Sequence, residues 1–231
     1  MRYRIADLEV EMESFGRTLR QAEAYRVEPK GSADITVDCD AAEILKLNPN
    51  FPDEETAMYM GSGAIFSQCL LDFNGTYLHA SAVILDGKAY LFSANSGVGK
   101  STHTEKWCRL FGAECLNDDK PALRLVDGRW YAYGTPWSGK HDLSSPKGAP
   151  VGGIAFVTRG QENRISRMEP GKAVPLFMNQ SLWRLEREQM ERQLALLDKL
   201  VRSVPIWELT CRNDDAAAMV SRDAMTRVSN L

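Results

Sequence analysis

Apolar and polar positions alternate over short stretches near the start of the chain, a pattern that is typical of strands. Tyr3–Met12 predicts one strand and Ala33–Cys39 predicts a second. The apolar spacing of Glu54–Leu71 then predicts a helix. We interpret residues 1–70 as a small mixed α/β region and residues 71–231 as a larger domain.

Two pairs of apolar runs in the centre of the chain are each joined by an Asp-Gly dipeptide. The runs are Tyr77–Leu85 and Lys88–Ser93 around Asp86-Gly87, and residues 122–126 and 130–133 around Asp127-Gly128. Because Asp-Gly tolerates the positive φ angles of a type I′ turn, each pair predicts a β-hairpin. Hairpins pair their strands antiparallel, so the pattern predicts an α/β fold with a mixed, largely antiparallel central sheet.

Helical spacing recurs between and after the hairpins. Lys100–Phe111 predicts a short helix that ends at Gly112. Leu182–Val204 predicts a long amphipathic helix that ends before Pro205. Residues 134–150 are rich in Gly, Pro, Ser and Lys and predict a long loop, which in a compact domain is usually functional or mobile. The remaining predicted elements are strands at Val151–Thr158 and Ile206–Thr210 and a final helix from Asp214.

The composition narrows the classes of protein to consider. Of 231 residues, 44% are hydrophobic and 26% are charged, as in a globular domain with a sizeable core. The formal net charge of −3 argues against a general nucleic-acid binder. From the first residues we expect no signal peptide, and no stretch approaches the roughly 20 apolar residues of a membrane helix. Five cysteines without a CxxC pair indicate neither a disulfide framework nor a zinc site, so we expect a cytoplasmic protein without a membrane partner.

The segment Ala94–Ser101 fits the pattern of a phosphate-binding loop, with alanine in place of the first glycine. The glycines let the backbone curl so that successive N–H groups point at phosphate oxygens. A helix follows, and its N-terminal partial charge attracts anions. An ordinary glycine turn is the alternative. The residues expected to bind the nucleotide are Asn95, Ser96, Gly97, Val98, Gly99, Lys100, Ser101 and Thr102.

An acidic pair and a histidine lie on either side of this loop in the sequence. Asp118 and Asp119 follow a short apolar stretch, and two carboxylates at a strand end can serve one site. A phosphoryl transferase needs an acid to hold Mg²⁺ and often a base for the hydroxyl proton. A solvated Asn-Asp-Asp turn is the alternative. His79, in the first strand of the first hairpin, could hydrogen-bond an aspartate, or it could be a core residue.

Taken together, these motifs resemble the HPr kinase/phosphorylase family. The resemblance rests on His79–Ser81, Ser96–Ser101, Asp118 and Asp119. It covers roughly Leu71–Val157. The nucleotide domain of that family is similar to the one in phosphoenolpyruvate carboxykinase, which agrees with the predicted hairpins. The whole chain looks closer to shorter HPr-kinase-like relatives, some of which modify peptide precursors or free serine.

The resemblance implies a role for each site residue, with ATP and Mg²⁺ as cofactors. Lys100 would bind the β- and γ-phosphates, and Ser101 and Asp119 would hold Mg²⁺. Asp118 would be the base toward the acceptor hydroxyl, with His79 in support. The family is often oligomeric, so a homo-oligomer is a further expectation.

Four more residues are candidates for the site. Lys140 and His141, in the predicted loop, could close over the phosphates. Trp137 could pack on the adenine or the acceptor, or it could simply anchor the loop. Arg159, after a predicted strand, could stabilise the transferring charge, or it could be a surface residue. Gly134–Lys140 stands where the family has a glutamate-containing signature, so the reverse phosphorylase reaction is not implied.

The motifs favour a kinase that transfers the γ-phosphate of ATP to a serine-type hydroxyl of a peptide, protein or small molecule. One alternative is a small-molecule phosphotransferase or carboxykinase-related enzyme, which would need a basic cluster for a dicarboxylate that the sequence does not show. The other is a non-catalytic nucleotide-binding regulator. The complete set of Lys100, Ser101, Asp118 and Asp119 argues against a regulator, because a decayed site need not retain every part.

Overall fold

The computed structural model of the chain describes residues 1–181 and 185–227. Two β-sheets and seven α-helices are present in these residues. The strands are β1 (Arg2–Ile5), β2 (Leu8–Met12), β3 (Ile35–Val37), β4 (Gly75–Tyr77), β5 (Ala80–Leu85), β6 (Lys88–Ser93), β7 (Glu114–Asn117), β8 (Ala122–Val126), β9 (Arg129–Tyr133), β10 (Gly148–Arg159), β11 (Arg164–Arg167) and β12 (Ile206–Cys211). The helices are α1 (Gly16–Ala22), α2 (Ala41–Leu47), α3 (Glu54–Leu70), α4 (Lys100–Phe111), α5 (Pro170–Ser181), α6 (Arg187–Ser203) and α7 (Asp215–Arg227).

The N-terminal residues form a three-stranded sheet of their own, in the order β1-β2-β3. The prediction of one strand over Tyr3–Met12 is wrong, because β1 and β2 are two antiparallel strands joined at Ala6 and Asp7. Ile5 pairs with Leu8 across this turn. Directly paired residues point to the same face, so the apolar spacing changes from two residues to three between Ile5 and Leu8, a break that the prediction did not use.

The second sheet has nine strands and is mixed, as predicted. Both Asp-Gly hairpins are confirmed: β5 pairs antiparallel with β6, and β8 with β9. Asp86 and Gly87 have φ of 50° and 72°, as a type I′ turn requires. The long strand β10 joins two parts of the sheet, because its start runs antiparallel to β9 while its later residues run parallel to β6 and β12.

Several predicted boundaries shift in the structure. Tyr77 belongs to β4, which pairs with β8, so the predicted strand Tyr77–Leu85 is two strands with His79 in the gap between them. The long helix predicted at Leu182–Val204 begins at Arg187, and its first three predicted residues lie outside the described part. Helices α1, α2 and α5 and strand β11 were not predicted, whereas α3 and α4 match their predictions closely.

Helices pack on both faces of the large sheet. Alternate residues of β6 serve the two faces: Leu91 packs with α5 and α6, whereas Tyr90 and Phe92 pack with α4 and α7. Helix α3 and the small sheet share a third apolar cluster with Trp137. None of the helices in residues 1–181 and 185–227 combines the length and the apolar character that crossing a membrane requires.

Candidate functional site

The glycine-rich loop connects β6 to α4. Gly97 and Gly99 have φ of 80° and 118°, a region that other residues enter only with strain. A Cβ built on either glycine would meet nothing within 4 Å, so the loop lies open on that side. Ala94 is not among the described residues with positive φ, which explains why alanine is tolerated there.

Helix α4 begins directly after this loop without a side-chain cap at Gly99. The first backbone N–H groups of a helix have no acceptor within the helix. In many helices a Ser, Thr, Asp or Asn side chain accepts from one of them. Here residues 96–102 line a cleft, so the free amides and the helix dipole are available to an anion.

Lys100 is the first residue of α4 and lies at the base of the loop, where it is 7% exposed. Its Nζ donates to the carbonyl of Ala94 at 2.9 Å and lies 3.1 Å from Nε2 of His79. Burial lowers the pKa of Lys100, and the nearby charge of Asp119 opposes that change. The ammonium group is therefore directed into the cleft beside the loop.

Ser101 lies beside the acidic pair. Its Oγ is 3.5 Å from Oγ of Ser81, and the Ser81 hydroxyl donates to the carbonyl of Asp118 at 3.0 Å. Asp118 and Asp119 follow β7 directly, at a strand end as predicted. The structure thus brings the loop and the acidic pair together across β5.

Asn117 shapes the turn that holds the two carboxylates. Its Oδ1 accepts from the backbone N–H of Asp119 at 2.8 Å and from that of Lys120 at 2.7 Å. Side-chain bonds of this kind make Asn a turn residue. Sequence reasoning did not identify Asn117 as part of the site, although the Asn-Asp-Asp pattern was the signal for it. The turn interpretation and the functional interpretation therefore describe the same residues.

Asp118 is 4% exposed, and its two carboxylate oxygens have different surroundings. Oδ1 accepts from the backbone N–H of Gly139. Oδ2 is buried and has no hydrogen-bond partner among the described residues, although Asp118 lines the cleft. Burial raises the pKa of Asp118, and the backbone N–H groups of Gly139 and His141 partly oppose this.

Both carboxylate oxygens of Asp119, unlike those of Asp118, have a charged or polar side chain as a partner. Its Oδ1 lies 3.1 Å from Nε2 of His79, and its Oδ2 accepts from Nζ of Lys120 at 2.7 Å. Burial alone would raise the pKa of Asp119, but the contacts with His79 and Lys120 outweigh it and hold the pKa well below its usual range. The structure thus pairs His79 with Asp119, whereas the resemblance implied support for Asp118.

Gln180 joins the histidine to the loop and was missed in the sequence. Its Oε1 lies 2.8 Å from Nδ1 of His79, and its Nε2 donates to Oδ1 of Asn95 at 2.9 Å. The carbonyl of Gln180 also accepts from the backbone N–H of His79. Gln180 and His79 are 101 positions apart, and no motif links them in the sequence.

Arg159 contacts the loop from the end of β10. Its Nε donates to the carbonyl of Val98 at 3.1 Å, and its Nη2 donates to that of Gly97 at 2.5 Å. These bonds orient two peptide groups of the loop. A role for Arg159 in stabilising the transferring charge stays a prediction.

The loop over residues 134–147 is anchored rather than solvated along its first half. Trp137 is fully buried, lies 5.0 Å from the ring of Phe66, and donates through Nε1 to Ser62 at 3.0 Å. Its ring is therefore not available to a nucleotide, and it acts as an anchor. Lys140 and His141 are exposed and line the cleft, as their predicted position over a ligand requires.

A single cleft with a volume of about 1360 Å³ is lined by His79, residues 96–102, Asp118, Asp119, Lys140, His141 and Arg159. Asn95, Asn117, Trp137 and Gln180 are not among its lining residues. Arg17 and Tyr59 from the N-terminal region also line it. Sites for one small ligand have volumes of roughly 300–1,000 Å³, so this cleft has room for two reactants. Within residues 1–181 and 185–227, no group of three or more His, Cys, Asp or Glu side chains is arranged to hold a metal ion by itself.

The sequence matches no model of a known protein family and no curated protein. Among solved structures, the fold is similar to the Hpr(Ser) kinase/phosphatase from Coxiella burnetii. The two share 10% identity with a TM-score of 0.39, over 67% of this chain and 93% of the other. This similarity is too low to assign a family or an activity.

Proposed function

We propose that this protein is an ATP- and Mg²⁺-dependent kinase that transfers the γ-phosphate to a serine-type hydroxyl of a peptide, protein or small molecule. One observation carries the proposal. The open glycine-rich loop at an uncapped helix N-terminus shares a cleft with Asp118, a buried carboxylate with an unpartnered oxygen. A site that only bound a nucleotide would need the first feature but not the second.

The loop and α4 would bind the phosphates. The backbone N–H groups around Gly97 and Gly99 and in the first turn of α4 suit phosphate oxygens, and Lys100 adds a positive charge beside them. The bonds from Arg159 to the loop carbonyls hold the peptide planes in place. Preorganised donors of this kind stabilise charge that develops during transfer.

Ser101 and Asp119 fit a Mg²⁺ site. In kinase sites Mg²⁺ is usually held by one or two protein oxygens together with phosphate oxygens and water. The low pKa of Asp119 keeps it ionised at neutral pH, and each of its oxygens can accept a second contact beside His79 or Lys120. When bound, Mg²⁺ would neutralise charge on the phosphate oxygens.

Asp118 would act as the general base. Its raised pKa makes it a better proton acceptor than Asp119, and opposite shifts in neighbouring acids separate a base from a metal ligand. As the acceptor oxygen bonds to the γ-phosphorus, the bond to the bridging oxygen breaks and ADP leaves. The hydroxyl proton moves to the carboxylate of Asp118.

Transfer of label from γ-labelled ATP tests the proposal, with HPr, candidate peptides and free serine as acceptors. With an acceptor found for the native protein, Asp118→Asn should abolish transfer while nucleotide binding remains. Asp127→Asn is the matched control, because Asp127 lies in the β8–β9 turn away from the cleft. Unchanged turnover in Asp118→Asn would show that Asp118 is not the base.

A further inference from the structure

Several residues of the N-terminal region line the cleft, among them Arg17 from α1 and Tyr59 from α3. The guanidinium carbon of Arg17 lies 4.2 Å from the centre of the Tyr59 ring, which is close enough for a cation–π contact. Tyr59 itself is 5% exposed. The half-buried Arg17 and the buried Tyr59 thus form one unit, and its polar atoms contact the loop over residues 138–142.

The contacts of this unit converge on Ser138 and Gly139. The Tyr59 hydroxyl donates to the carbonyl of Ser138. Arg17 Nη2 donates to the same carbonyl at 3.3 Å, to the carbonyl of Gly139 at 2.5 Å and to Oδ1 of Asp142 at 2.7 Å. These bonds fix the loop at consecutive peptide groups rather than at one point.

One peptide group links this unit to the candidate base. The carbonyl of Ser138 and the N–H of Gly139 belong to the same amide, and that N–H donates to Oδ1 of Asp118. Hydrogen bonds to an amide oxygen polarise the group and strengthen its N–H as a donor. Tyr59 and Arg17 therefore act on one side of the amide and Asp118 lies on the other.

The packing leaves little freedom around this amide. A Cβ added to Gly139 would lie 3.0 Å from Oδ2 and 3.1 Å from Cγ of Asp118. The Ser138 hydroxyl donates to Oε1 of Gln21, a third contact from α1. A displacement of the Ser138–Gly139 peptide would therefore displace the carboxylate.

We propose that Arg17 and Tyr59 are positioning residues for phosphoryl transfer, which hold Asp118 in place through the Ser138–Gly139 peptide. The inference rests on the proposed function, in which Asp118 accepts the hydroxyl proton. It assigns a role to the N-terminal region that the sequence does not reveal, since Arg17 and Gly139 are 122 positions apart.

Tyr59→Phe is the sharpest variant because it removes only the hydroxyl. The loss of one hydrogen bond to Ser138 should lower kcat about fivefold, whereas the Kd for ATP should change less than about twofold. Tyr3→Phe is the matched control, since Tyr3 is a buried tyrosine of the same apolar cluster whose hydroxyl donates to Met1 instead. An equal fall in kcat for both variants would indicate a general loss of stability and overturn the inference.

Arg17→Ala should have the larger effect, about 10- to 100-fold on kcat, because the loop loses its contacts at three acceptors and the carboxylate can shift. Arg17→Lys keeps the charge but not the fork of donors, so an intermediate kcat is expected. Arg20→Ala is the control on the same helix, because Arg20 makes an exposed ion pair with Glu55. If Arg17→Ala does not fold, Arg17→Lys and Tyr59→Phe still decide the question. Unchanged kcat in both of these overturns it.

An NMR readout separates this inference from the proposed function, because it needs no turnover. The Gly139 amide proton, donated to a carboxylate, should resonate downfield and move upfield in Tyr59→Phe and Arg17→Lys but not in Tyr3→Phe. If the resonance moves in this way but the protein has no kinase activity, the proposed function is wrong, whereas the positioning of the Ser138–Gly139 peptide by Arg17 and Tyr59 stands. If the protein is an active kinase but the Gly139 resonance does not move in the variants, the positioning role of Arg17 and Tyr59 is wrong, whereas the proposed function stands.

Discussion

The two walls of the cleft are built in different ways. The wall with the glycine-rich loop comes from one continuous stretch, in which β6, the loop and α4 follow each other from Lys88 to Phe111. The second wall combines the turn after β7, residues 138–141 and side chains of α1 and α3. The first wall takes its backbone from one stretch and receives bonds from Arg159 and Gln180, whereas the second is assembled from distant parts of the chain.

This difference separates binding from catalysis. The local wall holds the groups that suit phosphates, namely the loop and helix N–H groups and a buried lysine, with Arg159 holding the loop carbonyls. The composite wall sets the position of Asp118, where small displacements matter for proton transfer. Changes in the local wall should therefore impair binding and transfer together, whereas changes in the composite wall that displace Asp118 should impair transfer alone.

Lys100→Ala should have the largest effect, because it removes the one buried ammonium at the base of the loop. We expect kcat/KM to fall about 10³-fold, as for the loss of a key charged donor, and ATP binding to weaken as well. Isothermal titration and label transfer measure the two effects. Lys30→Ala, an exposed lysine of the N-terminal region, is the control. Native ATP affinity in Lys100→Ala would contradict the assignment of this wall to the nucleotide.

Gly139→Ala tests the composite wall. Its Cβ would approach the Asp118 carboxylate to 3.0 Å, which should displace the carboxylate by a few tenths of an ångström. We expect kcat to fall about 10- to 100-fold with the Kd for ATP unchanged. Gly171→Ala is the matched control, because a Cβ there meets nothing within 4 Å. A parallel loss of ATP affinity would mean that the two walls are not separate.

Asp119→Ala should weaken Mg²⁺-dependent nucleotide binding about tenfold, as expected for the loss of one charged contact, without unfolding the protein. A thermal-shift titration with ATP and Mg²⁺ measures it. Asp118→Asn serves as the control. It removes the neighbouring carboxylate, which is not assigned to Mg²⁺, so the thermal shift caused by ATP and Mg²⁺ should stay as in the native protein. An equal shift for Asp119→Ala and the native protein would exclude a metal role for Asp119.

Gln180→Ala should have the smallest effect, about a fivefold loss of kcat/KM, because the hydrogen bonds to His79 and Asn95 are lost but the charged groups remain. Gln180→Glu keeps the acceptor for His79 and loses the donor to Asn95, so it should lie between Ala and the native protein. Steady-state kinetics rank the three proteins. Identical kinetics for all three would leave Gln180 with no part in the site.

The features that could be predicted are those coded by neighbouring residues. Asp86-Gly87 predicts its hairpin because the turn needs two positive φ angles in a row. Helix α4 and its end at Gly112 were predicted for the same local reason. The turn between β1 and β2 was missed because Ala6 and Asp7 are not a typical turn pair, and the break in the apolar alternation between Ile5 and Leu8 is short.

The rest of the site had no local signal. Glycine at 139 looked like one of several loop glycines, and only the packing places its N–H on Asp118. Arg17 and Gln180 are ordinary polar residues of helices that were not predicted. Trp137 had two interpretations in the sequence, and its stacking on Phe66 decided between them.

By itself, the sequence determined the glycine-rich loop, the helix after it, the two hairpins and the acidic pair at a strand end. Each depends on φ preferences, turn chemistry or periodicity within a few residues. Only the tertiary structure decided which carboxylate is buried with an unpartnered oxygen, which one His79 contacts, and which N-terminal residues reach the cleft. The physical reason is that pKa values and side-chain positions depend on burial and on neighbours far apart in the chain, which residue spacing does not record.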